Sequence, residues 1–275
     1  MPVIAITREM GSLGKDVAAG IGEALGVPVL YHEVIEQLAD RMRVRKSHVI
    51  RLLDGSAGLM ERLTADKTSL AIFSADEIYG LALKNGGAVI RGWGATHLLR
   101  DVPHVVCVRV CAPLAVRKRR MMERLNTDEA DQVGEEIRCN DEAHTAIMRR
   151  HFGLQWTDAE NYDVVLNTER VRIDDCVEEV LGLVRSLEFA ETGNSRRKLE
   201  DLAISARVRA ALRCAPETHE MKFSVATESG RVTVSGGRRS VEERVAVVGV
   251  AAAVEGVRHV EYRSQGPEDP RPSQD

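Results

Sequence analysis

The stretch Val3-Ile4-Ala5-Ile6-Thr7-Arg8-Glu9-Met10-Gly11-Ser12-Leu13-Gly14-Lys15-Asp16-Val17 decides the fold. Val3 to Ile6 form a short apolar run, too short for a helix and suited to a strand covered on both faces. The turn Gly11-Ser12-Leu13-Gly14-Lys15 follows, and Val17, Ile21, Ala24 and Leu25 then mark the buried face of an amphipathic helix. Glycines leave backbone N–H groups unobstructed, and the helix N-terminus adds the positive end of its dipole. A phosphate chain is the natural guest of such a junction. The alternative is a glycine-eased strand-to-helix turn of the kind any α/β protein uses.

The turn comes close to the phosphate-loop pattern GxxxxGK(S/T). Anchored on Gly14-Lys15, the pattern sets Glu9 at the first glycine and Asp16 at the magnesium-binding hydroxyl. Anchored on the strand and the helix, it lines up Gly11-Ser12 with the inner loop residues, gives Gly14 the lysine's place and leaves Lys15 one residue late. Both registers keep the loop's shape and change part of its chemistry.

Outward from this junction, short apolar strands alternate with helices. Val27–Tyr31 reads as a second strand, and residues 33 to about 84 as mostly helical with a turn at Asp54-Gly55-Ser56-Ala57-Gly58. Asn85-Gly86-Gly87 ends a helix before the strand Ala88–Ile90, and Val105–Val110 is a further strand. Arginine-rich helices follow from about 113 to 152, then a strand at Tyr162–Leu166 and a closing helix over 174–187. That alternation predicts an α/β fold with a parallel sheet flanked on both sides.

The pattern changes after residue 187. A polar stretch, 188–197, reads as a linker, and residues 198–264 as a small α+β unit of order αββαβ. Ile204, Val208 and Leu212 mark its first helix. Met221, Phe223 and Val225, then Val232 and Val234, alternate on either side of a Ser229-Gly230 hairpin turn. Val241, Val245 and Val248 open its second helix, and Val257 to Tyr262 supply the last strand. The tail 265–275 is expected to be disordered.

A formal net charge of −4 argues against nonspecific nucleic-acid binding as the main task. The apolar runs fall short of the roughly 20 residues that span a bilayer. The N-terminal residues lack signal-peptide character, so the expected compartment is the cytoplasm. The 5 cysteines form no CxxC pair and read as reduced, buried small hydrophobes. His32, His97, His144 and His151 show no metal-ligand spacing and read as surface or satisfied core side chains.

Several segments together carry a likeness. Ile6–Gly14, Ala88–Ala95, the strand end Val108–Pro113, His151-Phe152-Gly153 and Tyr162–Thr168 occur in order and at matching spacing. On these, residues 1–187 resemble the cytidylate kinase-like branch of the nucleoside monophosphate kinases. That branch has a glycine-serine-glycine-glycine loop in place of the standard one; Leu13 replaces one of its glycines here, and Trp93 stands where relatives have arginine. Residues 198–264 resemble a BON domain through Gly230, Val232, Val234, Gly236 and Val254–Val257. The resemblance implies an ATP- and Mg2+-dependent phosphotransferase acting on a nucleoside monophosphate, CMP or dCMP foremost. It also implies a C-terminal module that meets a protein partner or anionic phospholipid.

Phosphoryl transfer asks for two phosphate chains held in line and their charge matched by cations. The amides of Gly11, Ser12, Leu13, Gly14, Lys15 and Asp16 are the candidate cradle for ATP. Arg8 or Lys15 would supply the loop's positive charge, and Asp16 would hold magnesium through a water. Arg117, Arg120 and Arg124 recur on one helical face, with Arg138, Arg149 and Arg150 beyond and Asp141 as an orienting carboxylate. Arg120, Arg124 and Arg149 are the candidate catalytic arginines of a lid. Arg91, at a strand's C-terminal end, joins Arg138 and Asp141 as a candidate for the acceptor. With Glu123, Glu135 and Glu136 alongside, the same stripe also reads as a solvated, salt-bridged face. A catalytically weak nucleotide sensor acting through the C-terminal unit is the alternative function.

Overall fold

The opening apolar run is strand β1 (Val3–Arg8), buried from Val3 to Thr7. In this computed structural model, which describes residues 2–54, 67–84, 86–92 and 94–264, β1 is the middle of a five-stranded sheet of order β2-β3-β1-β4-β5. The other strands are β2 (Val29–Leu30), β3 (Ala88–Arg91), β4 (Val105–Cys111) and β5 (Val164–Asn167), and every pairing is parallel. Parallel neighbours need crossovers, and helices supply them. These are α1 (Gly14–Leu25), α2 (His32–Met42), α3 (Lys46–Asp54), α4 (Lys67–Leu83), α5 (Ala95–Leu98), α6 (Leu114–Leu125), α7 (Ala130–Phe152) and α8 (Ile173–Arg185).

One face of the sheet packs against α1 and α8. Val17, Ala18 and Ile21 meet Ile4, Ile6, Val106, Val108 and Val110 from the sheet and Cys176, Val177 and Val180 from α8. On the opposite face the buried thiol of Cys107 donates to the carbonyl of Thr96 in α5 at 3.3 Å. Burial pushes that thiol up to about 12, so it stays protonated. After β1 the chain crosses to the edge at β2 and returns through β3 beside β1; from β4 it runs the other way to β5. The C-terminal ends of β1 and β4 therefore flank the point where strand order reverses, the place where open α/β sheets bind ligands. Glu9, the first residue past β1, donates its N–H to the carbonyl of Val110 there at 3.0 Å.

The chain divides into compact units Met1–Ser195 and Arg196–Asp275. Between 187 and 197, where an irregular linker is expected, the structure has a 3-10 turn at Leu187–Phe189 and the start of α9 (Gly193–Cys214). Thr192 and Ser195 explain the helix start: each side-chain oxygen accepts the other's backbone N–H, at 2.9 and 3.1 Å.

The second unit continues with β6 (Phe223–Glu228), β7 (Arg231–Gly236), α10 (Val241–Ala252) and β8 (His259–Ser264). β6 and β7 form the hairpin, β8 adds parallel to β7, and Ile204, Val208, Leu212, Val225, Val232, Val234, Val247 and Ala251 fill the core. The αββαβ order is as expected, and α10 buries one of its two apolar sides. Val241 and Val245 are 62% and 66% exposed, while Val247 and Ala251 face inward. Both sides of α10 are apolar, so spacing alone does not choose between them.

The turn expected at residues 54–58 falls mostly outside the described residues, as do Asn85, Trp93, the tail after Ser264 and the side chains of His32 and His151. No helix among the described residues is long and apolar enough to cross a membrane.

Candidate active site

β1 ends at Arg8 and α1 begins at Gly14, so Glu9–Leu13 form the bridge. Gly14 and Lys15 thus open the helix, which is where the loop pattern has its glycine and lysine. Gly11 and Leu13 take left-handed φ of 81° and 61°. Gly14 is forced by space: a Cβ there would sit 2.6 Å from the Cβ of Arg8. Ser12 is fully buried and folds the loop on itself, its N–H and hydroxyl both donating to the Glu9 carbonyl, at 3.2 and 2.8 Å. No side chain caps α1. Asp16 donates its N–H to the carbonyl of Leu13 at 3.0 Å, which leaves the amides of Gly14 and Lys15 to a ligand or to water.

Arg91 lies beside this loop. It ends β3 opposite Ile6 of β1, is 7% exposed, and rests its guanidinium 4.2 Å from the centre of the Tyr31 ring. Its Nε is buried without a hydrogen-bond partner. Burial lowers its pKa first and the like charge of Arg8 second, opposed by Tyr31 and Asp16. A guanidinium held in that way, with a second arginine nearby, is short of one anion.

Residues 3–170 match the cytidylate kinase-like family. The chain belongs to that family. Residues 200–263 match the BON domain. No curated protein sequence matches the chain. Among solved structures, an uncharacterized protein from Eubacterium ventriosum shares the fold at 20% identity and a TM-score of 0.53, covering 68% of this chain and 99% of its own. Shikimate kinase from Bacteroides thetaiotaomicron aligns at 16% identity and TM-score 0.42, over 67% of this chain and 99% of its own. The Acinetobacter baumannii enzyme, solved in complex with shikimate, gives 14%, 0.42, 67% and 93% respectively.

The other arginines of this cytidylate kinase-like unit divide by depth along their helices. Arg117 is buried and Arg124 exposed, so the stripe on α6 leads from the core to solvent rather than lining one surface. Arg117 donates to both oxygens of Asp141 at 3.2 and 2.8 Å, and to the carbonyls of Ala112 and Met10. Asp141 therefore orients an arginine in the ligand-free protein. Arg120 is tied to Thr168: Nη1 reaches its hydroxyl at 3.0 Å and Nη2 its carbonyl at 2.7 Å. That hydroxyl donates to the carbonyl of Ser12 at 2.8 Å, so Arg120 braces the loop from behind. Arg138 is exposed and paired with Glu135 one turn away. Arg149, Lys15 and Asp16 are exposed. Arg100, which could have met a phosphate, pairs with Asp163 at 2.6 Å.

The sequence gives no site role to Glu9, Arg109, Thr168 or Trp156. Arg109 donates to Glu9 at 2.6 Å and lies 5.3 Å from the centre of the Trp156 ring. The His144 ring stacks on that of Trp156, with centroids 4.2 Å apart and planes nearly parallel. Burial, reinforced by Arg8 and Arg109, pushes His144 down to about 4, so it is neutral at pH 7. Among the described residues no cluster of three His, Cys, Asp or Glu could hold a metal. Cys107 and Cys176 are buried as expected; Cys139 and Cys214 are exposed, and all five thiols are free.

Proposed function

We propose that the protein is an ATP-dependent phosphotransferase acting on a nucleoside monophosphate, with CMP and dCMP as the leading acceptors. The observation behind this is Arg91, whose buried Nε has no hydrogen bond, next to Arg8 and an uncapped loop-to-helix junction. Two anionic chains fit there. The amides of Gly11, Leu13, Gly14 and Lys15 hold the donor phosphates, with Arg8 and Lys15 matching their charge. Arg91 takes the acceptor's phosphate, and its Tyr31 platform fixes the guanidinium plane. Arg124 and Arg149 add charge from the helices that cover the site, and Arg120 keeps the loop braced.

Magnesium commonly sits on one or two carboxylates plus the substrate's own phosphates. Asp16, exposed in the first turn of α1, fits that role, and the ion would neutralise charge on the transferred group. The C-terminal unit then localises or regulates the enzyme. Val241 and Val245, exposed beside Arg238 and Arg244, are its candidate contact with a protein or an anionic phospholipid surface.

A coupled assay with CMP, dCMP and UMP, ATP and magnesium tests this. Turnover of CMP or dCMP is expected, falling by about two orders of magnitude or more in Arg8→Ala and Arg91→Ala. ATP binding without product from any acceptor would contradict it and favour the nucleotide sensor.

A further inference from the structure

Glu9 stands first after β1, where the loop pattern has a glycine, and its side chain is only 12% exposed. Both carboxylate oxygens are engaged. Oε1 accepts from Nη2 of Arg109 at 2.6 Å; Oε2 accepts from the N–H of Ala112 at 3.1 Å and lies 3.4 Å from Nε of Arg117. Each arginine leads on to α7. Arg117 holds Asp141 in a two-pronged pair and also donates to the carbonyl of Met10, inside the loop, at 3.3 Å. Arg109 packs over Trp156, whose Nε1 donates to the hydroxyl of Thr145 at 2.9 Å. Thr145 in turn donates to the carbonyl of Asp141 at 2.8 Å. Two paths thus leave a single turn of α7 and meet on one carboxylate at the root of the loop.

We infer that Glu9 is a positioning residue: with Asp141 it fixes the shape of the phosphate-holding loop and ties that shape to the position of α7. A glycine at this place would leave the buried Arg109 guanidinium without its carboxylate and Arg117 with Asp141 alone, which is costly. A glutamine would keep the volume but set an NH2 donor against Arg109 or the Ala112 N–H. Asp141 lies nearer the surface, at 27% exposure, so its loss weakens the same tie while disturbing the core less. What the loop holds rests on the phosphotransferase reading above; the tie itself does not.

The experiment is hydrogen exchange on the full chain, comparing the natural protein with Glu9→Gln, Asp141→Asn and, as a control, Arg172→Gln in an exposed ion pair. Peptides covering residues 9–16 should exchange at least about tenfold faster in the first two variants, with β3 and the 223–236 hairpin within about twofold of the natural protein. Unchanged loop exchange in Asp141→Asn would overturn the inference. So would an equal acceleration throughout residues 2–195, the mark of a residue that only supports the core. Titrating the same proteins with ATP should show binding weakened about tenfold in both variants. Absence of any ATP binding to the natural protein would overturn the proposed function instead, and the exchange pattern would still decide the case for Glu9.

Discussion

Arg91 shows how a single side chain can serve function against stability. Its buried Nε has no partner, so an apolar residue of similar length should fit better. Arg91→Met is expected to raise stability by about 1 kcal/mol in urea unfolding, while raising the acceptor's KM at least about tenfold. A destabilised variant would mean that Arg91 is held by its surroundings rather than by a ligand. His144 provides a pH test. Its ordinary value of 6.5 falls to about 4 on folding. Between these values the unfolded chain binds a proton that the folded chain excludes, so stability declines as pH falls through that window. The decline amounts to about 3 kcal/mol once pH is below the folded value. His144→Phe keeps a flat ring on Trp156, and its urea midpoint should change less between pH 7 and about pH 4.5 than that of the natural protein. The loop glycines were legible because they act locally, within a few residues of a strand and a helix. The Glu9–Arg109 pair was not, because its members stand 100 residues apart and leave no local spacing to read.

Secondary-structure elements were the most legible level. Strand runs such as Val105–Val110 announce themselves by length and β-branching, and the parallel sheet follows from their alternation with helices. α10 was harder: apolar residues lie on both sides, and only the packing of Val247 and Ala251 against β7 selects the inner one. The 188–197 stretch was misjudged because a polar composition conceals a capped helix start. The hairpin Ser229-Gly230 offers a direct prediction. Both residues take positive φ, 51° and 77°, and both N–H groups donate to the carboxylate of Asp201, at 2.8 and 3.0 Å. Asp201→Ala should therefore cost about 1–3 kcal/mol in the stability of the second unit. Gly230→Ala should cost at least as much, since its Cβ would lie 2.9 Å from the carbonyl of Gly256. Loss of the β6–β7 amide protection, followed by exchange, is the readout; unchanged protection in Asp201→Ala would show that the turn stands without its anchor.

For the whole molecule, the parallel sheet of residues 1–195 brings Arg91 to the same end of β1, β3 and β4 as Arg8, Glu9 and Gly14, although Arg91 stands far from them in sequence. The fold was legible from the opening strand and turn and the alternation that follows them, whereas the acceptor base was not. Residues 1–195 alone should bind ATP within about twofold of the full chain, because every group assigned to the loop lies inside that unit. A fragment that folds but binds much more weakly would place part of the site elsewhere. The decisive experiment is isothermal titration calorimetry of the full chain with ATP and magnesium. A saturable heat with one site per chain, lost in Arg8→Ala and weakened in Lys15→Ala, is the predicted result; no heat from ATP, GTP or their diphosphates would contradict the assignment of this loop to a nucleotide's phosphates.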